Sequence, residues 1–173
     1  MSVTLRSEIY PTDLTAMMRW LENPNVSQYL NEHQQITRHL QYVYDLRLPV
    51  LTPLFNQGGR FWMICTQGEK PVGFLRIVYQ THDSVELVIT IGEESLWGQG
   101  LGKKSVQAAL KEIFFDMRKE NVIVHIKHGN LRSQNLFQNV GFSFIQERSE
   151  TTQYGLTLDA YLHPAEEENL EIA

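Results

Sequence analysis

Apolar and polar residues recur along the chain at two different periods, which predict two kinds of element. Alternation at every second residue predicts a strand, and apolar positions three and four residues apart predict a helix. Strands are expected at residues 3–10, 60–66, 72–79, 83–91, 122–126, 143–150 and 156–162. Helices are expected at residues 11–21, 36–48 and 102–119, and again after Asn130. We expect Thr12 to cap the first helix, Pro24 to end it, and Pro49 to end the second.

The predicted order of elements is βααβββαβαββ, without repeats or linkers. Strands joined by short turns pair antiparallel, whereas the two strands joined through helix 102–119 are expected to run parallel. The pattern therefore predicts one α+β domain over residues 1–164. An acidic tail follows at residues 165–173 and is expected to be flexible.

Composition narrows the class of protein. The 173 residues are 42% hydrophobic and 20% charged, with a net charge of -5, as in ordinary globular domains. Because no basic run is present, we expect no nucleic-acid partner. The single cysteine, Cys65, rules out an internal disulfide and fits a reducing compartment. No apolar segment has the length of a signal peptide or a membrane span, so we expect a cytoplasmic protein without a membrane partner.

A glycine-dense turn between strand 83–91 and helix 102–119 carries the most specific chemical signal. Its sequence is Trp97-Gly98-Gln99-Gly100-Leu101-Gly102-Lys103-Lys104. Glycines allow close approach of the backbone to a ligand, and the first amides of a helix attract phosphate. The turn therefore predicts a phosphate-binding cradle.

Two common phosphate cradles fail on spacing. A P-loop requires glycine where Trp97 stands and Ser or Thr where Lys104 stands. A dinucleotide fingerprint that starts at Gly98 requires glycine at Lys103. One that starts at Gly100 reaches Ser105 and lies in the middle of the chain. A glycine turn without any ligand is the simplest alternative.

Three segments together resemble the GNAT superfamily of N-acetyltransferases. The glycine turn resembles its acyl-CoA loop, and the stretch from Asn130 through Ser133, Leu136 and Phe137 to Gly141-Phe142 resembles the second half of its CoA site. The segment at residues 20–30 resembles the branch of ribosomal-protein N-terminal (alanine/serine) acetyltransferases, for which Trp97 in the loop is also typical. The resemblance covers roughly residues 3–164.

The resemblance implies a fold and a cofactor site. The fold would be a GNAT-like, mixed, mostly antiparallel sheet of six to seven strands, flanked by about four helices, with one parallel pair that splays apart. Acetyl-CoA would be the co-substrate. The residues expected to bind it are Ile89, Ile91, Gln99, Gly100, Leu101, Gly102, Lys103, Lys104, Asn130, Ser133 and Phe137.

The resemblance also suggests catalytic residues. Glu86, the carboxylate within strand 83–91, resembles the strand glutamate that acts as the base in several GNAT enzymes, with Asp83 and His82 as alternatives. Many of these enzymes protonate the leaving thiolate with a tyrosine at the position of Phe137, which has no hydroxyl. We therefore take Tyr154 as the candidate acid, with Tyr161 as an alternative or release of the thiolate without an acid.

The acceptor is less closely defined by the sequence. We expect direct transfer, through a ternary complex, to a primary amine: a protein N-terminus or a small molecule such as an aminoglycoside or a polyamine. An acyl-CoA-binding or sensing module without catalysis is the alternative. The histidines lack metal-ligand spacing, so no metal is expected, and the protein is expected to be a monomer or a homodimer. Residues available to line the acceptor pocket are Trp20, Tyr29, Glu32, Trp62, Tyr79, Tyr154 and Asp159.

Overall fold

Helices and strands alternate along the chain largely as the hydrophobic pattern predicts. The computed structural model describes residues 2–30 and 33–164, and the side chains of residues 33 and 34 are not described; the expected tail at 165–173 and Glu32 lie outside these ranges. The strands are β1 (Thr4–Arg6), β2 (Gly59–Cys65), β3 (Pro71–Tyr79), β4 (Ser84–Ile91), β5 (Asn121–Lys127), β6 (Ser143–Glu147) and β7 (Thr151–Thr157). The helices are α1 (Pro11–Glu22), α2 (Pro24–Ser27), α3 (His33–Asp45), α4 (Thr52–Phe55), α5 (Leu101–Lys111), α6 (Leu131–Val140) and α7 (Leu158–Leu162).

The strands form one mixed sheet in the order β1-β2-β3-β4-β5-β7-β6. Every neighbouring pair is antiparallel except β4 and β5, which α5 connects as a crossover. The predicted fold class is thereby confirmed, including its single parallel pair. Of the seven helices described, α2, α4 and α7 are single short turns of four or five residues that the helical period does not reveal.

The parallel pair comes apart after a short contact. β4 and β5 are paired only from Ser84–Glu86 to Asn121–Ile123, although β4 continues to Ile91 and β5 to Lys127. The outer edges of both strands stay paired, β4 with β3 as far as Ile91 and β5 with β7 as far as Lys127. A gap therefore opens in the middle of the sheet, towards the carboxyl ends of the two parallel strands.

Strand alternation divides the core between the two faces of the sheet. On β2, Trp62 and Ile64 pack with α5 and α6, whereas Phe61 and Met63 pack with α1 and α3. The same alternation continues on β4, where Val85 and Leu87 join the α5–α6 side. Burial of both faces makes the sheet the shared wall of two apolar clusters. In the described ranges, every helix is too short or too polar to cross a bilayer.

Several predicted boundaries are wrong, for reasons of local capping. The first helix ends at Glu22, just before Pro24 as expected, but Pro24 also starts the short helix α2, because proline is well tolerated in the first turn of a helix and the Asn23 side chain accepts a hydrogen bond from Asn25 N–H at 3.0 Å. The N-cap of α1 is Tyr10, not Thr12, and Asp13 completes that cap. The predicted last strand at 156–162 ends at Thr157, whose hydroxyl caps α7.

Other predicted ends are also shifted. The first strand is three residues long instead of eight. α3 ends at Asp45, so Pro49 lies beyond the helix and is not the residue that ends it. α5 ends at Lys111 and continues as a π-helical turn over Glu112–Asp116 instead of running to residue 119. π-helical turns inside helices are short and rare, and a stretch of five residues is too brief for the helical period to reveal the change.

The chain directly after β4 packs tightly against α1, and a glycine makes this close contact possible. Gly92 lies so close to Trp20 that a Cβ atom on it would be 2.1 Å from the indole Cδ2. Trp20 is buried, and its Nε1–H donates to Glu93 Oε1 at 2.9 Å. The amides of Asn23 and Asn25 both donate to the Glu94 carboxylate at 2.9 Å. The first two helices therefore hold the chain in place just before the glycine turn.

We predict that Gly92→Ala destabilises the protein by about 1–3 kcal/mol, the usual cost of overpacking a core, and lowers Tm by about 2–4 °C for each kcal/mol. Gly129→Ala is the matched control, since a Cβ there meets Tyr29 at an ordinary 3.5 Å. Differential scanning calorimetry of the two variants checks this. Equal Tm values for both would contradict the packing described for Trp20.

Candidate functional site

The glycine turn presents free backbone N–H groups to solvent at the start of α5. Gly98 and Gly100 both have φ of 76°, a left-handed conformation that side-chain-bearing residues rarely adopt. The first hydrogen bond of the helix runs from Lys104 N–H to Gly100 O at 3.1 Å. The N–H groups of Leu101, Gly102 and Lys103 precede it, so they have no acceptor within the helix. This geometry is that of an anion-binding helix N-terminus.

A cleft of about 260 Å³, here called the glycine-turn cleft, lies in front of these N–H groups. Its walls are the end of β4, the glycine turn, the start of α6, and Tyr29 and Leu30 after α2. Eight of the residues expected to bind the cofactor line it: Ile89, Ile91, Gly100, Leu101, Gly102, Lys103, Asn130 and Ser133. The structure therefore brings together two sequence motifs that are about thirty residues apart.

The other three expected cofactor residues lie elsewhere. Gln99 is exposed, and its side-chain amide donates to Ser95 O at 3.1 Å. Lys104 is exposed on α5 and does not contribute to the described wall of the cleft. Phe137 is buried against Phe142 and lines the neighbouring cleft described below.

The peptide groups of Ile89 and Ile91 face the gap between β4 and β5. Gly92 N–H donates to Val72 O of the β3 side at 2.8 Å, and alternate residues of an antiparallel ladder point to the same side. Thr90 therefore faces β3 like Gly92, and the residues on either side of it face the other way. Ile91 O accepts from Trp97 Nε1–H at 2.8 Å, which leaves the N–H groups of Ile89 and Ile91 directed at the gap.

A cation lies on the wall of the glycine-turn cleft that the sequence did not lead us to expect. The Arg132 guanidinium is stacked on Trp97, with its central carbon 3.6 Å from the ring centroid. Burial lowers the pKa of Arg132, yet a guanidinium keeps its charge at neutral pH. The only signal in the sequence was the position of Arg132 between the two motif residues Asn130 and Ser133. The Asn130 side chain caps α6 by accepting a hydrogen bond from Ser133 N–H at 3.2 Å.

A second cleft of about 590 Å³, here called the gap cleft, opens where β4 and β5 separate. Glu86 lies on its β4 wall and His125 on its β5 wall. Five residues line both clefts: Tyr29, Leu30, Ile89, Asn130 and Ser133. The two clefts therefore adjoin each other at the gap, with Glu86 on the wall of the second.

Glu86 is hydrogen-bonded to a histidine that the sequence analysis did not select. His125 Nδ1 lies 2.9 Å from Glu86 Oε1, and Glu86 Oε2 accepts from Gln80 Nε2–H at 3.2 Å. Both side chains are mostly enclosed, with 17% of His125 and 22% of Glu86 exposed. The signal available was strand alternation, which puts His125 on the opposite face from the apolar Val124 and Ile126.

Tyr154, the candidate acid, is not brought to the cleft. It is 5% exposed and belongs to the apolar cluster under α5 and α6. β7 pairs Tyr154 with Val124 and Gln153 with His125, so Tyr154 points to the opposite face of the sheet from the histidine. Among the described residues that line the two clefts, Tyr154 and the aromatic candidates Trp20, Trp62 and Tyr79 are absent, whereas Tyr29 is present.

Unsatisfied polar atoms concentrate on the walls of the clefts. Three buried side-chain atoms lack a hydrogen-bond partner in the described part of the chain: Arg6 Nε, Thr90 Oγ1 and His125 Nε2. Thr90 lines the glycine-turn cleft and His125 lines the gap cleft. Buried polar atoms in folded proteins are nearly always satisfied, so these two atoms are natural contacts for a ligand.

Two other kinds of chemistry find no support in this arrangement. The Cys65 side chain is buried on β2, and burial raises the pKa of its thiol, which makes it a poor nucleophile. Cys65 also lies outside the walls of both clefts as far as the chain is described. No group of three or more His, Cys, Asp or Glu side chains in the described ranges is arranged to hold a metal ion.

The comparison with known proteins agrees with this geometry. A family model described as "Acetyltransferase (GNAT) domain" matches residues 3–143. A curated but uncharacterized protein of Methanocaldococcus jannaschii is 25% identical over 138 residues, which are 78% of this chain and 27% of that protein. The chain thus spans about a quarter of the length of the curated relative that it matches.

Solved structures share the fold at low sequence identity. AAC(6')-Ib in complex with ribostamycin and coenzyme A has a TM-score of 0.77 at 18% identity, covering 96% of this chain and 99% of that one. Campylobacter jejuni N-acetyltransferase PseH in complex with acetyl coenzyme A has a TM-score of 0.66 at 15% identity, covering 91% and 99%. Identities this low establish a common fold and leave the substrate open.

Proposed function

The chain belongs to the GNAT family of acetyl-CoA-dependent acetyltransferases, and on that basis we propose that it transfers the acetyl group of acetyl-CoA directly to a primary amine. The observation that carries the proposal is the pair of adjoining clefts, one at the free N–H groups of the glycine turn and one at Glu86, which share the gap-facing residue Ile89 of β4 as a wall. Two adjoining clefts would let the two substrates meet in one ternary complex.

The glycine-turn cleft supplies the groups that acetyl-CoA requires. Its pyrophosphate would bind to the N–H groups of Leu101, Gly102 and Lys103, with the charge of Arg132 on the same wall. The pantetheine arm, which carries amides, would pair with the peptide groups of Ile89 and Ile91 at the gap. Gln99, Lys104 and Phe137 remain proposed contacts at the margins of this site.

The chemistry then needs an oxyanion donor and a proton acceptor. An N–H group of the gap-facing edge of β4 is suited to the oxyanion of the tetrahedral intermediate. The Glu86–His125 pair marks the proton-accepting end of the cleft, because a protonated amine must lose one proton before attack and a second one after it. Tyr154 lies on the other face of the sheet, so we propose that the thiolate of CoA leaves without help from a tyrosine. The burial of Cys65 argues against an acyl-enzyme.

The charges of the gap cleft favour an acceptor amine that also carries a negative group. Arg76, Lys127 and Arg148 line it, and none of them is paired with a carboxylate within the described residues. Lys127 Nζ donates instead to the carbonyls of Gln28 and Leu30, each at 3.1 Å, and Arg148 donates to Gln153 Oε1 at 3.3 Å. Two carboxylates line the same walls: Glu86, which is hydrogen-bonded to His125, and Glu150.

An acceptor of this class distinguishes the proposal from two others. Polyamines and aminoglycosides carry several positive charges, and three cationic side chains in the cleft would repel them. An acidic peptide N-terminus, an amino acid or an amino-sugar phosphate would be attracted. A module that senses acyl-CoA without catalysis would need only the glycine-turn cleft, and the Glu86–His125 pair would then serve no purpose.

We predict that acetyl-CoA raises Tm and that Gly102→Val abolishes this rise. At a ligand concentration of 100 times Kd, binding stabilises the native state by about 2.7 kcal/mol. Gly102 lies on the wall of the glycine-turn cleft, and because a Cβ atom there would already be 3.2 Å from Leu136 Cδ2, a valine would crowd this wall beside the free N–H groups. Thermal melts and isothermal titration with acetyl-CoA, with ATP as the comparison ligand, measure the effect.

Gln107→Val is the control, since Gln107 is exposed on the same helix and away from the cleft. It tests whether a β-branched residue in α5 is harmful by itself. Unchanged affinity for acetyl-CoA in Gly102→Val, or an equal rise in Tm with ATP, would contradict the assignment of the cleft. Binding without release of CoA thiol in the presence of any amine would favour the sensing module.

We predict that wild type prefers the anionic member of a matched pair of acceptors. Glucosamine 6-phosphate is compared with glucosamine, and the tripeptide Ala-Glu-Glu with Ala-Lys-Lys, so that the reacting amine stays the same and only the distant charge changes. One charge-assisted hydrogen bond is worth about 1.5–3 kcal/mol, which corresponds to about tenfold or more in kcat/KM. Release of CoA thiol measures the rate.

Arg76→Gln should reduce that preference about tenfold, because the Arg76 side chain lines the cleft and makes no hydrogen bond or ion pair within the described residues. Arg118→Gln, which lies at the exposed end of the helical segment after α5, serves as the control for the change in net charge. Higher activity with Ala-Lys-Lys or glucosamine would show that the cationic walls do not select the acceptor.

A further inference from the structure

A histidine and a carboxylate face each other across the gap between β4 and β5. Glu86 comes from β4 and His125 from β5, and the 2.9 Å contact between Glu86 Oε1 and His125 Nδ1 lies just beyond the point where the strands stop pairing. Gln80 Nε2–H donates to the second carboxylate oxygen at 3.2 Å. The carboxylate is thus held from two sides, and the plane of the imidazole is held by the carboxylate.

This contact determines which ring nitrogen carries the proton. A carboxylate only accepts hydrogen bonds, so in the neutral ring Nδ1 is the nitrogen that carries hydrogen and donates it to Glu86. Nε2 then carries a lone pair. This Nε2 is buried and has no partner in the described part of the chain. An enclosed nitrogen that can accept one hydrogen bond is therefore carried by a residue that lines the gap cleft.

The surroundings of the pair favour a donor that binds at Nε2. The charged groups that line the same cleft are Arg76 on β3, Lys127 on β5, and Arg148 and Glu150 around the start of β7. Lys127 and Arg148 donate to other atoms within the described residues, and neither occupies Nε2. The amine of an acceptor is a hydrogen-bond donor of the right kind, and it would enter from this cleft.

We propose that His125 is the catalytic base and that Glu86 is its positioning residue; the inference rests on the acetyl-transfer function proposed above. His125 Nε2 takes one proton from the acceptor ammonium, and the freed lone pair of nitrogen attacks the thioester carbon. As the tetrahedral intermediate collapses, the C–S bond breaks and the nitrogen gives its second proton to the departing sulfur. The products are the amide and CoA thiol, and the imidazolium returns its proton to solvent.

The Glu86 carboxylate stabilises the imidazolium that forms in this step. It stands at Nδ1 throughout, so that no reorganisation is needed when the charge appears on the ring. The assignment also explains why Glu86 does not need to touch the acceptor itself. Glu86 acts through its partner, and its role is to fix the tautomer and the orientation of the ring.

The first test measures kcat and the Kd for acetyl-CoA in His125→Gln and Glu86→Gln. General base catalysis contributes about 10²–10⁴ in rate, so His125→Gln should lose at least about 100-fold in kcat with an unchanged Kd. Exogenous imidazole should restore part of the rate in His125→Ala. The matched control is His128→Gln, since His128 also pairs with a glutamate, Glu147 at 2.8 Å, but is half exposed and outside the cleft.

The acceptor in this assay is whichever member of the matched pairs above is acetylated fastest by wild type. A kcat of His125→Gln within threefold of wild type would overturn the proposal. If wild type releases no thiol with any of these amines, the proposed acetyl transfer to them is wrong. The second test then decides by itself whether Glu86 positions His125.

The second test does not need turnover. In the full-length, ¹⁵N-histidine-labelled protein, the side-chain nitrogen spectrum should show His125 with hydrogen on Nδ1 and a lone pair on Nε2. Glu86→Gln should change that pattern for His125 and leave His128 unchanged. If Glu86 served only to stabilise the sheet, its replacement would leave the pattern of His125 unchanged as well. Hydrogen on Nε2 in the wild-type protein would overturn the proposal.

Discussion

The separation of β4 from β5 after three paired residues is the constraint on which the site depends. If the parallel register continued, Val88 would lie opposite His125 and the gap would be closed by backbone hydrogen bonds. The pairing of β4 with β3 and of β5 with β7 holds each strand from outside, so the sheet stays intact while its centre opens. Peptide groups at the gap are left for a ligand, and Glu86 and His125 meet across it.

The glycine turn remains irregular because its flanks are held firmly. Trp20 packs on Gly92, and the carboxylates of Glu93 and Glu94 bind side chains of the first two helices. On the other side, Trp97 ties the turn back to Ile91 O and carries Arg132 on its ring. A turn with two residues at positive φ needs such support, since glycine gives up more chain entropy on folding than other residues do. The anion-binding geometry is thereby held by contacts within the protein itself.

Features local in sequence were predictable, and features that need two distant segments were not. The cradle followed from glycine spacing, and the order of elements followed from hydrophobic periods. His125 and Arg132 gained their meaning only when β5 met β4 and α6 met the glycine turn, which no local pattern encodes. Tyr154 shows this limit most clearly. Alternation along a strand puts the Tyr154 and Gln153 side chains on opposite faces of the sheet, but only the pairing of β7 with β5 shows which of these faces holds the cleft.

The two clefts differ in how they recognise a ligand, and this limits what family membership implies. The glycine-turn cleft relies on backbone N–H groups and small residues, which many sequences provide once the fold exists. The gap cleft relies on side chains such as Arg76, Arg148 and His125, which a change of sequence replaces without cost to the fold. A shared fold therefore predicts the cofactor of a related protein far better than it predicts the acceptor. For this chain the cationic walls of the gap cleft are the reason why we propose an anionic amine, and not a polycation, as the acceptor.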